Sequence, residues 1–453
     1  MNSNSLLTHT LCGLALVFSS AACWSQNTLY AAFQAAQSYD ASFAAAKASL
    51  EASKEKVFQA KTALLPTVNL SSSASVNRFD IYASPAPDRT YFGAGVVLAG
   101  SYPLWRPAIG TTISQAELAV RLSQAAYANA QQELIVRVSQ AYFDVLLAQD
   151  TLASIAAQKA AISEQLAQAK REFEVGTKTI LDTNEAQARF DLMLAQEAVA
   201  QGDEISKRAA LTLLTGQDPK TLAKLRANAL VAPASPADIN AWAGRAEEAS
   251  IAVQVALLNT EIAKLDITRN KIAKGATVDL VSNLSANRSV GSASSNARSN
   301  TTNGSIGVQL NYPLYNGGSL DSKVREAALN HDKSLADLDA ARRNAAQAAR
   351  QTYLSLNYGI AQIKALESAE RSAQTLLEST KLGYQVGVRI NLDVLNAQQA
   401  LAANKQSLAK ARYDALMAGL RLKSATAQLT EDDVRSINVQ LEAQFTSPRS
   451  APQ

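Results

Sequence analysis

Four segments of the chain alternate between apolar and polar positions, which is the pattern of a β-strand with two different faces. In the first of them, Val68, Leu70 and Val76 occupy even positions, and the odd positions hold Thr, Asn or Ser. Strands of about ten residues with one apolar and one polar side are typical of a transmembrane barrel, and also of a soluble sheet with one buried face. The four segments are 67–78, 92–104, 277–287 and 305–314.

Two much longer segments favour helix. Residues 111–175 contain neither Gly nor Pro and are rich in Ala, Gln and Leu, which are good helix formers. Such a helix is about 100 Å long at 1.5 Å per residue. Its counterpart, Ser319 to Leu382, contains only Gly359 as a helix-weakening residue. Charges such as Glu117 and Arg121 recur along the first segment and exclude a transmembrane helix, so the pattern predicts a coiled coil or a tube of helices.

The sequence is a tandem repeat of a unit of roughly 200 residues. Gln140-Ala-Tyr142 recurs as Gln351-Thr-Tyr353, 211 positions later, and Tyr102-Pro103-Leu104 recurs 210 positions later, from Tyr312. Each unit is predicted to contain a helix, two strands and further helix. The join lies near 216–241, where several prolines interrupt the helical pattern.

Four strands are too few to close a barrel, because about eight are the practical minimum. A membrane barrel built from this chain therefore requires several copies. We expect Asp80–Thr90 and Gly291–Thr302 to form the outer loops of two hairpins. The opposite strand ends, beside Trp105 and Tyr315, are expected at the inner membrane interface, where aromatic side chains are enriched.

The charge balance excludes recruitment of partners by bulk charge. The 453 residues include 43 basic and 39 acidic side chains without a run of five like charges, so no nucleic-acid partner is expected.

The chain contains only two cysteines, Cys12 and Cys23, and two histidines, His9 and His331. All of them except His331 lie in the N-terminal leader or at its end. This argues against thiolate or imidazole metal sites and histidine-based catalysis, and we expect no cofactor and no catalytic residue.

The N-terminus is expected to be a signal peptide covering 1–22, because the apolar stretch from Leu11 ends in small residues and is too short to span a bilayer. The usual basic start is missing, since no Lys or Arg precedes Lys47. Cleavage before Cys23 and its lipidation stay open, although Ser20 stands where a lipidation motif favours Leu.

Several motifs fix a family resemblance. They are Leu64-Leu65-Pro66, Tyr312-Pro313-Leu314-Tyr315-Asn316-Gly317-Gly318, Gly383-Tyr384-Gln385-Val386-Gly387-Val388-Arg389 and Asp393-Val394-Leu395-Asn396. With these motifs the chain resembles the TolC family of outer-membrane efflux ducts over nearly all of its mature length.

The resemblance implies an α+β membrane protein that forms a homotrimer, with a 12-stranded β-barrel, four strands from each chain, continuous with a 12-helix periplasmic α-barrel. It implies a passive exit duct of a tripartite efflux pump or type I secretion system, located in the outer membrane of a Gram-negative bacterium with a periplasmic extension and in contact with outer-membrane lipid. The implied partners are a periplasmic adaptor (membrane fusion) protein and an inner-membrane RND pump or ABC exporter. The implied opening movement is an untwisting of helix pairs at the periplasmic tip.

The same resemblance implies site residues. Tyr384 and Arg389 match the residues of a gate latch, and Asp182 matches their carboxylate partner in the first repeat. Asp393 matches the first aspartate of an entrance constriction, and Asn396 stands where a second aspartate is typical. We therefore expect weaker attraction of cations at the entrance than a ring with both carboxylates provides.

Simpler interpretations exist for these residues. Thr179 and Asp182 fit a capping box, and Asn391 fits a cap for the equivalent helix of the second repeat. Arg389 also fits an ordinary solvated surface charge. Gly176 and Gly387, the expected helix-turn glycines at the tip, fit left-handed turn positions.

Two other protein classes stay open. One is a soluble or surface structural coiled-coil or adaptor protein without a pore, against which the paired strands in both repeats argue. The other is a carboxylate-based enzyme, for which only neighbouring acids such as Asp432 and Asp433 are available.

The predicted order of segments along the chain is signal peptide 1–22, N-terminal segment with first helices 23–66, first β-hairpin 67–104, long and returning helices of repeat 1 105–215, inter-repeat equatorial linker 216–245, helix of repeat 2 246–275, second β-hairpin 276–314, long and returning helices of repeat 2 315–430, and C-terminal equatorial segment with a disordered tail 431–453.

Overall fold

A computed structural model describes most of the chain, and the described residues fall into two compact units. The helical unit holds the residues up to Ala45, Ala128–Ile251 and those from Arg342 onward, and the sheet unit holds Ala46–Tyr127 and Ala252–Ala341. The predicted signal peptide and Cys23 lie outside the described residues, and the domain boundaries predicted from the sequence stay a prediction. The described ranges are 28–79, 89–177, 179–219, 221–226, 229–292 and 297–441.

The sheet unit contains one antiparallel sheet in which the strands follow chain order, β1-β2-β3-β4. β2 of the first repeat pairs with β3 of the second, so both hairpins belong to one sheet. Even positions pair with even positions along most of the sheet, as in Val76↔Phe92 and Phe92↔Val290, until a register shift after Pro103, beyond which Trp105 pairs with Val278. The apolar side chains therefore share one face, as the alternation predicts. The strands are β1 Thr67–Phe79, β2 Arg89–Trp105, β3 Thr277–Val290 and β4 Arg298–Asn311.

The strand ends differ from the sequence prediction. Thr90 belongs to β2, and β4 already begins at Arg298, so the predicted loops extend too far at these positions. Residues 298–303 are polar, but their backbone groups pair with β3, and this pairing does not depend on side-chain polarity. The continuation of the last strand to Leu314 is also wrong, because β4 ends at Asn311, before Pro313, which has no N–H to donate.

The helices include two of 67 residues each, α3 and α7, which contribute to both units. α7 continues through Gly359 without interruption. Among the described residues, no helix combines the length and the apolarity needed to cross a bilayer. The helices are α1 Leu29–Tyr39, α2 Ala41–Thr62, α3 Ala108–Glu174, α4 Ile180–Thr215, α5 Ile239–Ala249, α6 Ile251–Ile272, α7 Ser319–Gln385, α8 Asn391–Ala425 and α9 Glu431–Asn438.

A buried aromatic cluster joins α3 and α8 in the helical unit. Phe143 of α3 stacks on Tyr413 of α8, with ring centroids 5.4 Å apart, and meets Tyr142 edge to face. The Tyr142 hydroxyl donates to the Ala223 carbonyl at 2.9 Å, and the Tyr413 hydroxyl donates to Asp150 Oδ2 at 2.8 Å. Burial raises the pKa of Tyr142 and Tyr413 above the usual value, so both rings stay neutral donors. The first and second repeats are thus joined within one core.

Candidate functional site

The long helices α3 and α7 each end in a tight turn that leads into the next helix. Gly176 has φ +77° and Gly387 has φ +83°, the left-handed backbone expected from the sequence. In each turn an N–H reaches back five residues, from Thr177 to the Glu172 carbonyl at 2.8 Å and from Val388 to the Gly383 carbonyl at 2.9 Å. These bonds satisfy carbonyls at the helix ends. The two repeats thus use the same turn geometry.

The helix that follows each turn begins differently in the two repeats. α4 begins with a capping box, because the Thr179 side chain accepts from the Asp182 N–H and the Asp182 carboxylate accepts from the Thr179 N–H at 3.0 Å. In α8 the N-cap is Ile390, which has no side-chain acceptor, and Asn391 is the first helical residue. The prediction that Asn391 caps this helix is therefore wrong. The repeat spacing explains it, since Ile390 occupies the position equivalent to Thr179.

Asp393 occupies the position in the second repeat that Asp182 occupies in the first. Its carboxylate lies 3.7 Å from Arg389 Nη1, where Asp182 instead contacts a threonine. Arg389 lies over Gly383, where an added Cβ would be only 2.8 Å from Arg389 Cγ. Gly383 therefore makes room for Arg389, which gives the glycine a role that the sequence pattern does not show.

Tyr384 lies close to acidic residues of the first repeat. Burial raises the pKa of Tyr384, and the negative charges of Glu172 and Asp182 raise it further. The phenol therefore keeps its proton at pH values where a solvated tyrosine begins to lose it. Tyr384 and Asp182 also line one small depression between the repeats, together with Asn391. Of the predicted latch residues, the structure places Tyr384 beside Asp182 and pairs Arg389 with Asp393.

Asn396 contacts an arginine that the sequence did not single out. Arg189 of α4 donates from Nη2 to Asn396 Oδ1 at 3.5 Å and lies 3.5 Å from the Glu185 carboxylate. Apolar packing of Leu395 against Ile162 and Met193 brings α4 and α8 together here. The only sequence signal for Arg189 is its i,i+4 spacing from Glu185, which is common on exposed helices.

The profile of one protein family, described as outer membrane efflux protein, matches residues 32–217 and 242–428. The chain belongs to this family. The two matched segments lie one in each sequence repeat, so the profile covers the strands, the long helices and the turn residues of both.

Individual relatives agree with this assignment. Outer membrane protein TolC of Vibrio cholerae is 33% identical over 429 residues, which cover 93% of this chain and 95% of that protein. The alkaline protease secretion protein AprF of Pseudomonas aeruginosa is 31% identical over 405 residues, 88% of this chain and 84% of that protein. The Campylobacter jejuni CmeC outer membrane channel has the same fold, with a TM-score of 0.72 at 17% identity over 91% of this chain and 90% of that one.

This outer membrane efflux protein is an exit duct in the outer membrane of a Gram-negative bacterium. Its fold is that of TolC-like outer membrane channels. A family of channels gives no support to the two other classes that the residue pattern left open, a coiled coil without a pore and a carboxylate enzyme. The turn between α3 and α4 and the turn between α7 and α8 are therefore parts of a duct.

Proposed function

We propose that three copies of this outer membrane efflux protein assemble into a passive duct with a twelve-stranded membrane barrel and a tunnel of twelve periplasmic helices. Each copy supplies four strands, and a closed ring of three copies satisfies the strand edges. Substrate passes through it without an energy source in the duct.

The exposed sheet is the observation that carries this proposal. Within the described chain, β1 and β4 are edges with no partner strand beyond them. The apolar face of the sheet, which is formed by the even-numbered residues, is open to solvent, and Leu70 and Ile306 on it are 71% and 75% exposed. An open edge and an uncovered apolar face are both unfavourable in water. Pairing β1 of one copy with β4 of the next removes the edges, and lipid covers the apolar face.

The number of copies can be measured on the purified full-length protein in detergent. Light scattering combined with refractive index and absorbance gives the protein mass in the micelle. A mass near that of three chains supports the proposal. A mass near that of a single chain, 48.0 kDa before removal of the leader, contradicts it.

We further assign the gate to the turn end of the helical unit. Tyr384 beside Asp182 links the two repeats, and Arg389 pairs with Asp393 one helical turn away. The Tyr384–Asp182 contact crosses between the repeats and is assigned to hold the closed arrangement, while the exposed Arg389–Asp393 pair, at 3.7 Å, lies within one turn and is weak enough to break on opening. In this scheme, loss of these contacts lets the helix pairs untwist and widens the entrance.

We also assign the entrance constriction to Asp393. Each copy offers one carboxylate there, and Asn396 is bound by Arg189 where an acidic residue would add a second charge. Rings of carboxylates attract cations in proportion to their charge. This duct therefore attracts cations more weakly than a ring with two carboxylates from each copy would.

The partners follow from the passive role. A periplasmic adaptor joins the duct to an inner-membrane transporter, either an RND pump or an ABC exporter, which supplies the energy and selects the substrate. AprF is by its name a protease secretion protein, and CzcC of Cupriavidus metallidurans is a cobalt-zinc-cadmium resistance protein. Because such different systems use members of this family, substrate choice is assigned to the transporter.

A further inference from the structure

Arginines stand at the hairpin ends of all four strands of the sheet. Arg89 and Arg298 are the first residues of β2 and β4, and Arg78 and Arg288 lie within three residues of the ends of β1 and β3. The only other charged residue in the four strands is Asp279, near the opposite end of β3. The charge of the sheet is therefore concentrated at one end.

The single carboxylate of the sheet is already neutralised. Arg106 binds Asp279 with two bonds of 2.7 Å, one from Nε and one from Nη2. This fork geometry is the strongest form of an arginine–carboxylate contact. The strand carboxylate is thus paired at the opposite end of the sheet from Arg288 and Arg298.

Three of these arginines share the apolar face. The register pairs Arg298 with Val290, and Val290 with Phe92, while Arg288 pairs with Ala94. Arg78 lies two residues beyond Val76, which also pairs with Phe92. Arg78, Arg288 and Arg298 are exposed. Arg288 and Arg298 are diagonal neighbours on adjacent strands, a position at which Cα atoms are about 7–8 Å apart and long side chains can reach one ligand.

The arginines stand one membrane thickness from the other end of the sheet. Arg288 is nine positions from Asp279, which corresponds to about 30 Å along a strand and less when the strand is tilted. The hydrocarbon core of a bilayer is about 30 Å thick. Leu280, Leu284 and Ala286 occupy the same face between these two residues. If the apolar band lies in lipid, the arginines lie at the headgroup level beside the hairpin loops.

From this arrangement we propose that Arg288 and Arg298 form a binding site for a phosphate group of a phosphorylated glycolipid in the outer leaflet. The inference rests on the proposed membrane barrel with its hairpin loops outside. Arginine suits this ligand because its planar guanidinium binds two phosphate oxygens at once and is always charged. Its long stem lies along the apolar face while its head reaches the headgroups.

The test uses full-length protein in dodecyl maltoside and diphosphorylated lipid A as the probe. The variant Arg288→Gln/Arg298→Gln is compared with the wild type and with Arg121→Gln, which removes an exposed arginine from α3 outside the sheet. Affinity for lipid A, for dephosphorylated lipid A and for inorganic phosphate is measured by native mass spectrometry and by competition. Trimer mass and single-channel conductance are recorded on the same preparations.

The proposal predicts that the double variant binds lipid A about tenfold or more weakly, in line with the loss of two bidentate phosphate contacts, while Arg121→Gln binds as the wild type does. Wild type is expected to bind dephosphorylated lipid A weakly and to ignore excess inorganic phosphate. Equal binding by double variant and wild type would overturn the inference, as would displacement by inorganic phosphate alone. Either result alongside normal trimeric channels leaves the proposed function intact. Absence of trimers and channels in the wild type overturns both.

Discussion

At the scale of single residues, Asp182 and Asp393 show how one position serves two purposes in a duplicated chain. Asp182 completes a capping box with Thr179, and Asp393 faces Arg389 because the equivalent cap residue is Ile390. A cap hydroxyl contributes about 1 kcal/mol, and an exposed ion pair contributes less. The carboxylate of Asp393 is therefore held less firmly and is more available to other ligands.

The substitution Ile390→Thr should create the missing capping box. The new hydroxyl accepts from the Asp393 N–H, and the Asp393 carboxylate turns back to the backbone N–H of the substituted residue, so the start of α8 gains about 1 kcal/mol. Hydrogen exchange of the amides at 391–395 is expected to slow. Thr179→Ala should do the opposite at the start of α4. Unchanged exchange at both helix starts would contradict this explanation of the two aspartates.

The charge at the entrance can be tested with a trivalent cation such as hexaamminecobalt. In planar bilayers, Asp393→Ala should abolish most of the blockade, because it removes the one carboxylate assigned to the entrance in each copy. Asn396→Asp should strengthen the blockade by adding a second carboxylate. Asp414→Ala is a matched control, because Asp414, like Asp393, pairs with a basic residue four positions earlier and lies further along α8. Blockade that persists unchanged in Asp393→Ala would refute the assignment.

At the scale of elements, the contact between the turn ends of α3–α4 and α7–α8 is the proposed gate. Tyr384→Phe removes the hydroxyl beside Asp182. In the proposed closed duct this hydroxyl donates to the Asp182 carboxylate, and a hydrogen bond to a charged group contributes about 1.5 kcal/mol. The ratio of closed to open channels should fall about tenfold per copy. Tyr358→Phe alters an exposed tyrosine of the same helix and should have no effect. Equal conductance of both variants would argue against a latch at Tyr384.

The two faces of the sheet should respond differently to charge. Ile306→Arg places a guanidinium on the apolar face in the middle of β4, where lipid contact makes it cost about 2–4 kcal/mol. Ser305→Arg places the same group on the opposite face and should be tolerated. The amount of trimer in the outer membrane measures the difference. A similar loss for both variants would show that the faces are not divided between lipid and lumen.

The interiors of these elements were predictable from the sequence, and their contacts were not. Alternation fixed the faces of β1 to β4 because every other side chain points the same way, and the absence of Gly and Pro fixed α3. The ends of β2 and β4 were missed because backbone pairing continues through polar residues. The contact between Arg189 and Asn396 could not be predicted, because it depends on two helices from different repeats meeting, and neither helix encodes its neighbour.

At the scale of the whole molecule, the single chain leaves its sheet unfinished. Both edges lack a partner strand within the described residues, and the even face is apolar and open. The proposed trimer accounts for this, since lipid and neighbouring copies would cover these surfaces. The exposed residues are thus explained by assembly and do not indicate instability of the chain.

Single-channel recording of the purified full-length protein in a planar bilayer tests the central claim most directly, because only a closed pore conducts ions through lipid. The account predicts discrete current steps of uniform size after addition of the protein, with small amplitude while the gate is closed. A bilayer that stays as insulating as bare lipid, although the protein has inserted, would contradict it.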